Sequence, residues 1–212
     1  NHSASTFYRC NVTCGGNTGS STPVQVALTP ASACYCIPAT SDCTDSDVIT
    51  RVRLSTLDNA SACSPAGYAN YTLSVAAPIV YSGASNPIIV TTPTVWSDVV
   101  GVWIDYNQNG QFDAAEFTNV GTNAGNGGNI ANNIVIPASA LTGVTRMRVR
   151  VRFGTTLFTA ANACLGYAFG ETEDYNVNIQ PCVTGVFTTP PASTSVTCGN
   201  NATFSVLRLG PC

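Results

Sequence analysis

Alternation of polar and apolar positions is the strongest pattern in this chain. In Thr145-Arg-Met-Arg-Val-Arg-Val-Arg-Phe153, Arg146, Arg148, Arg150 and Arg152 share one face of a strand, and Met147, Val149, Val151 and Phe153 share the other. The arginine face is read as solvated and paired with neighbouring carboxylates and threonines, in preference to an anion or sugar-acid site. Val48-Ile-Thr-Arg-Val-Arg-Leu54 behaves the same way, with Arg51 and Arg53 opposite Val52 and Leu54. Val99-Val-Gly-Val-Trp-Ile104 is apolar throughout and reads as a buried strand containing Trp103. Tyr71–Val75, Ile79–Tyr81, Ile88–Val90 and Ile134–Pro137 are short strand candidates bounded by Gly, Pro and Asn. Residues 119–133 are so rich in Gly and Asn that they read as a loop. No segment keeps a helical period over a useful length, so the expected class is all-β.

The same parity rule makes a demand at Gly170-Glu-Thr-Glu-Asp-Tyr-Asn-Val-Asn-Ile179. Tyr175, Val177 and Ile179 face the core, and Glu171 and Glu173 share their side, with Asp174 on the other. A buried carboxylate needs a cation, here an arginine or a metal ion. A metal candidate stands just after the apolar strand. Asp105-Tyr-Asn-Gln-Asn-Gly-Gln-Phe-Asp-Ala-Ala-Glu116 places Asp105, Asn107, Asn109, the Gln111 carbonyl, Asp113 and Glu116 at the ligand positions of the twelve-residue calcium loop, with Gly110 at its sharp turn. Calcium prefers many oxygen ligands, which alternating Asp and Asn side chains supply. Phe112 should point away from the ion. A strand leads into this loop where an EF-hand has a helix, so we expect a calcium loop set between strands, with Glu171 and Glu173 beside it as further ligands.

Composition narrows the setting. Eight arginines, no lysine and a net charge of −3 leave no basic patch for nucleic acid. Ten cysteines and a single histidine, His2, favour disulfides over zinc and imply an oxidising, extracellular compartment. Cys43 and Cys63 bracket one polar loop and are the expected pair. N-x-S/T sites at Asn1, Asn11, Asn59, Asn70 and Asn201 are candidates for glycosylation. No apolar run is long enough to span a bilayer as a helix.

Taken in order, Tyr35-Cys36, Val102–Phe112 with Glu116, Ile136-Pro137, Thr145–Arg148, Cys164 and Gly170-Glu-Thr-Glu-Asp-Tyr175 resemble the GEVED domain, with Thr172 where the name motif has valine. The resemblance covers roughly residues 35–180. It implies a β-sandwich, jelly-roll-like, in a secreted bacterial surface protein, without a catalytic role. Residues 1–34 and 181–212 have a different texture, and the latter look like the opening strands of an immunoglobulin-like repeat. Together the termini would make an incomplete Ig-like β region, whose exposed edges call for strands from elsewhere.

Those strands could come from the same chain or from another copy. Exchange between copies is head to tail and generates a filament. The expected function is therefore the calcium-stabilised repeating subunit of an extracellular or cell-surface filament, with copies of itself as partners. A carbohydrate-binding or adhesive module of a larger secreted protein is the alternative, with Trp96 and tyrosines available to stack on glycans. An enzyme is not expected, because no Ser-His-Asp or Cys-His set can be assembled and the carboxylates are better explained by the metal.

Overall fold

The structure is a computed structural model, and it describes residues 5–27, 35–123, 127–182, 186–187, 193–203 and 208–209. It is all-β, with two facing sheets at its centre and no α-helix among the described residues.

The larger sheet is built around the two longest strands, β13 (Gly143–Phe153) and β14 (Gly170–Gln180), which pair antiparallel with Val149 opposite Glu173 and Met147 opposite Tyr175. β10 (Asp98–Ile104) lies on the other side of β13, and β11 (Phe117–Thr122) pairs with β10 at the edge. β7 (Tyr68–Asn70) and β8 (Ile79–Tyr81) both run parallel to β14 on its free side. The smaller sheet has the order β12 (Gly128–Val135), β9 (Ser85–Thr92), β5 (Arg51–Leu54), β6 (Leu57–Ala60), all antiparallel.

Alternation decides what lies between the sheets. Val52, Leu54, Ile88, Val90, Ile130 and Ile134 come from the smaller sheet; Val100, Val102, Ile104, Met147, Val149, Val151, Tyr175, Val177 and Ile179 come from the larger one. All are buried in one cluster, which is the core of a β-sandwich.

Two local expectations do not hold. Residues 119–133 are not one loop: β11 and β12 occupy most of them. β12 is an edge strand, so burying Ile130 and Ile134 suffices while its asparagines stay at the surface. Tyr71–Val75 is a turn closed by the Ser74 and Val75 amides donating to the Tyr71 carbonyl, and the strand comes earlier, at β7.

The larger sheet is covered on its outer face as well. Val99, Trp103, Phe158 and Ala163 form a second buried cluster, with Phe112, Phe117 and Tyr167 packed against it. The covering segment between β13 and β14 includes a short 3-10 turn at Ala160–Ala163 and is tied to the segment before β5 by the Cys36–Cys164 disulfide. The expected Cys43–Cys63 bridge is also present.

The terminal segments are different in kind. β1 (Thr6–Tyr8) pairs with β4 (Val24–Val26), and β2 (Asn11–Cys14) pairs with β3 (Asn17–Ser20), as separate two-stranded sheets. Near the other end, β15 (Val186–Phe187) pairs with β16 (Arg208–Leu209). Cys34 and Cys212 lie outside the described residues, as do Asn1, His2 and residues 204–206 of the expected Ig-like strand.

Candidate functional site

The loop from Asp105 to Glu116 leaves β10 and delivers the chain to β11. Asp105 is fully buried at the end of the apolar strand, where its carboxylate accepts hydrogen bonds from the Asn109 amide at 3.2 Å, the Gly110 amide at 2.9 Å and the Tyr35 hydroxyl at 2.5 Å. The Asn107 and Asn109 side-chain oxygens accept from the amides two residues on. Gly110 has φ +82°, a left-handed conformation that the turn requires and glycine adopts freely. Phe112 turns back under Arg148 and packs on Tyr35, away from the loop's polar centre, as its position demands.

Asn107, Asn109 and Asp113 converge, since both amide side chains donate to the Asp113 carboxylate at 2.8 and 2.9 Å. Asp105, Asn107, Asn109, Asp113 and the Gln111 carbonyl are thus the oxygens that could hold calcium here, each with lone pairs to spare. Glu116 has a different task. It is buried, and its carboxylate accepts the amides of Tyr106, Asn107 and Asp113, capping the 3-10 turn at Ala114–Glu116. Burial raises its pKa, against which these backbone bonds work.

Glu171 and Glu173 do not meet the loop. They point into the core, as parity requires, but on β14, two strands away from β10 and beyond the Tyr175 row. Glu171 instead accepts the amides of Ile49 at 2.9 Å and Ser64 at 2.8 Å, tying β14 to the start of β5 and to the Cys43–Cys63 loop. Glu173 accepts the Tyr175 hydroxyl at 2.6 Å, and its other oxygen has no hydrogen-bond partner. Burial pushes its pKa up to about 7. Neither carboxylate has an arginine partner: backbone amides serve Glu171, and burial of Glu173 favours its neutral form below about pH 7. Among the described residues, no three side chains of His, Cys, Asp and Glu gather as a metal cluster.

The arginine face is a correction of another kind. Arg148 and Arg150 are almost completely buried and Arg146 nearly so, because the aromatic cover lies over them. Arg146 sits over Tyr35, Arg148 over Phe112, and Arg150 and Arg152 over Tyr167 and Phe158, with ring-centroid distances of 4.8 to 6.0 Å. Such stacking stabilises a cation that has lost water. Asp174 takes two bonds from Arg148, at 2.7 and 2.8 Å, one from Arg146 at 3.0 Å and one from the Tyr68 hydroxyl at 2.9 Å. Arg148 also donates to the carbonyls of Cys36 and Ala163, flanking the disulfide at Cys164. Arg150 lacks a carboxylate; it donates to the Thr172 hydroxyl at 2.8 Å and to the carbonyls of Asn162 and Leu165. Burial lowers its pKa to about 10, so it remains charged at neutral pH. Thr172, the departure from the name motif, therefore has a use, since valine would leave the Arg150 Nε without that acceptor. Gly170, with φ +144°, is held against β13 so closely that a Cβ would meet the Val151 carbonyl at 2.3 Å.

Of the glycosylation candidates, Asn11, Asn70 and Asn201 are exposed, whereas the Asn59 amide donates to the Tyr175 hydroxyl at 2.9 Å. Trp96 is 41% exposed, and its indole N–H is held by the Asp45 carbonyl. A cavity of about 420 Å³ beside the ladder is lined by Tyr35, Ile37, Tyr68, Leu73, Arg146 and Asn176 among others.

These features define a disulfide-braced β-sandwich whose charged side chains are largely consumed in holding it together. Residues 99–178, from β10 almost to the end of β14, match the family model of the GEVED domain. No curated protein matches the chain. The two bridges accord with an oxidising environment, and no helix among the described residues is long and apolar enough to cross a membrane.

Proposed function

We propose that this protein is an extracellular structural subunit, without catalytic activity, that assembles with copies of itself head to tail through its terminal strands. The observation that carries this reading is the N-terminal sheet. Phe7, Tyr8, Val24 and Val26 of β1 and β4 are 44 to 66% exposed, and Val12 of β2 is 63% exposed. A two-stranded sheet is marginal in water and leaves its edges open to pairing. Strands with bare apolar side chains gain both ladder hydrogen bonds and burial when another chain adds to them. Because such a contact joins different surfaces on the two copies, it propagates instead of closing. Cys10, Cys14 and Cys198, unbridged and exposed in the terminal segments, could lock such contacts in an oxidising medium.

In this reading calcium at Asp105, Asn107, Asn109, Gln111 and Asp113 acts as a staple where the chain crosses from β10 to β11. A sensor role has no support, because such loops signal by moving flanking helices and here strands flank it. Size-exclusion chromatography with light scattering tests the assembly. The full chain should form oligomers that grow with concentration, and removal of residues 1–27 should leave monomers.

A glycan-binding module is the second reading, favoured by the cavity lined by Tyr35, Tyr68 and Arg146, which brings aromatic side chains beside a polar amide, Asn176. Retention on a glycan array by the chain lacking residues 1–27, lost in Tyr68→Ala, would select it.

A further inference from the structure

At the end of the sandwich where β9 gives way to β10, two carboxylates meet between the sheets. Asp98 opens β10 on its inner face, in line with Val100 and Val102. Asp47 lies just before β5, in the smaller sheet's lead-in segment. They face each other within hydrogen-bonding reach, and their exposures are 0% and 1%. One oxygen of each, Asp47 Oδ1 and Asp98 Oδ1, is buried without a hydrogen-bond partner.

Two buried carboxylates in contact need either a shared proton or a positive charge, and no side chain supplies the charge. The chain has no lysine, and every arginine of the sandwich is engaged elsewhere. Arg51 pairs with Asp58, Arg53 with Asn129, Arg146 and Arg148 with Asp174, Arg150 with Thr172, and Arg152 with the Thr156 carbonyl. The neighbouring charges are of the wrong sign, since Asp42 and Asp45 act on Asp47 by repulsion. Thr92, 2% exposed, has its hydroxyl within reach of Asp98, and the Asn123 amide nitrogen reaches Thr92 Oγ1 at 3.0 Å and Asp98 Oδ2 at 3.4 Å.

We infer that Asp47 and Asp98 form a binding site for a hard divalent cation, calcium by its preference for several oxygen ligands, that clamps the two sheets together. Two carboxylates balance its charge, and the Thr92 hydroxyl and nearby carbonyls are the neutral oxygens available to complete the shell, while the Asn123 side-chain oxygen is held by the Asp98 amide at 2.8 Å. The site is separate from the Asp105 loop at the opposite end of β10 and does not depend on calcium binding there. Its ligands come from three places, before β5, the end of β9 and the start of β10, so an ion here would join both sheets.

Calcium bound per chain, measured by equilibrium dialysis with calcium alone, tests the site. Asp47→Asn/Asp98→Asn should bind one equivalent fewer than the natural chain, and Asp105→Ala should keep the equivalent that the double variant loses. In chelator the double variant should melt higher than the natural chain, because the neutral amides remove the repulsion. Equal calcium content in the double variant and the natural chain overturns the assignment. Terbium luminescence in the natural chain is the second measurement, because Trp96 stands beside the Asp45 carbonyl. Emission excited through tryptophan should be lost in Trp96→Phe, and unchanged emission places the ion elsewhere.

Discussion

Glu173 is a buried carboxyl with one hydroxyl donor and no cation, and its pKa of about 7 lies above the ordinary glutamate value. An acid whose pKa is raised by folding adds stability below its unfolded pKa, and that stability is lost as pH rises through the folded one. Stability should therefore fall as pH rises from about 4.5 through 7. Glu173→Gln should match the natural chain at pH 4 and exceed it at pH 8 by on the order of 3 kcal/mol in urea denaturation. Equal pH profiles would show that the carboxyl ionises freely. Arg148 poses the opposite case. Arg148→Met leaves Asp174 buried with Arg146 and Tyr68 alone, at a cost of about 3–5 kcal/mol by the same measurement.

Parity in the sequence placed these side chains on the correct faces: Glu171 and Glu173 inward, Asp174 and the arginines outward. It could not show that outward is also buried. The cover comes from Tyr35, Phe112, Phe158 and Tyr167, which lie in segments distant in sequence from β13, and alternation within one strand carries no information about them. The partners of Glu171, the amides of Ile49 and Ser64, are equally nonlocal, so the cation it was expected to need was a reasonable but wrong substitute.

At the scale of elements, the loop after β10 shows how a ligand pattern can serve two purposes. Its Asp and Asn side chains form successive hydrogen-bonded turns with the backbone amides ahead of them, and that use was not visible in the spacing. Glu116 is the clearest instance, spent on capping where the template makes it a ligand. Asp105→Ala should lower the melting temperature and reduce bound calcium by one equivalent; unchanged calcium content would remove the loop from the ligand account. Cys43–Cys63 closes a loop with a sequence separation of 20, and Cys43→Ser/Cys63→Ser should destabilise by about 3 kcal/mol in the chain-entropy model. A loss near zero would mean that Glu171 holds the loop unaided. Elements with β-branched and apolar runs, such as β10 and β13, were legible. β12 was not, because an edge strand needs only Ile130 and Ile134 to anchor it and can otherwise be written in Gly and Asn.

At the scale of the whole molecule, a well-filled sandwich stands in contrast with terminal strands that bury little. The sandwich has two apolar clusters, two bridges and a caged arginine ladder. Phe7, Tyr8, Val12, Val24 and Val26 have no comparable cover. The composition already separated these regions, but it left open whether the termini serve the same chain or another. Electron microscopy of the full chain, concentrated in calcium and compared with the chain lacking residues 1–27, addresses this most directly. The account predicts fibres with a regular repeat for the full chain and isolated particles for the shortened one. Isolated particles from both, at every concentration, would contradict it.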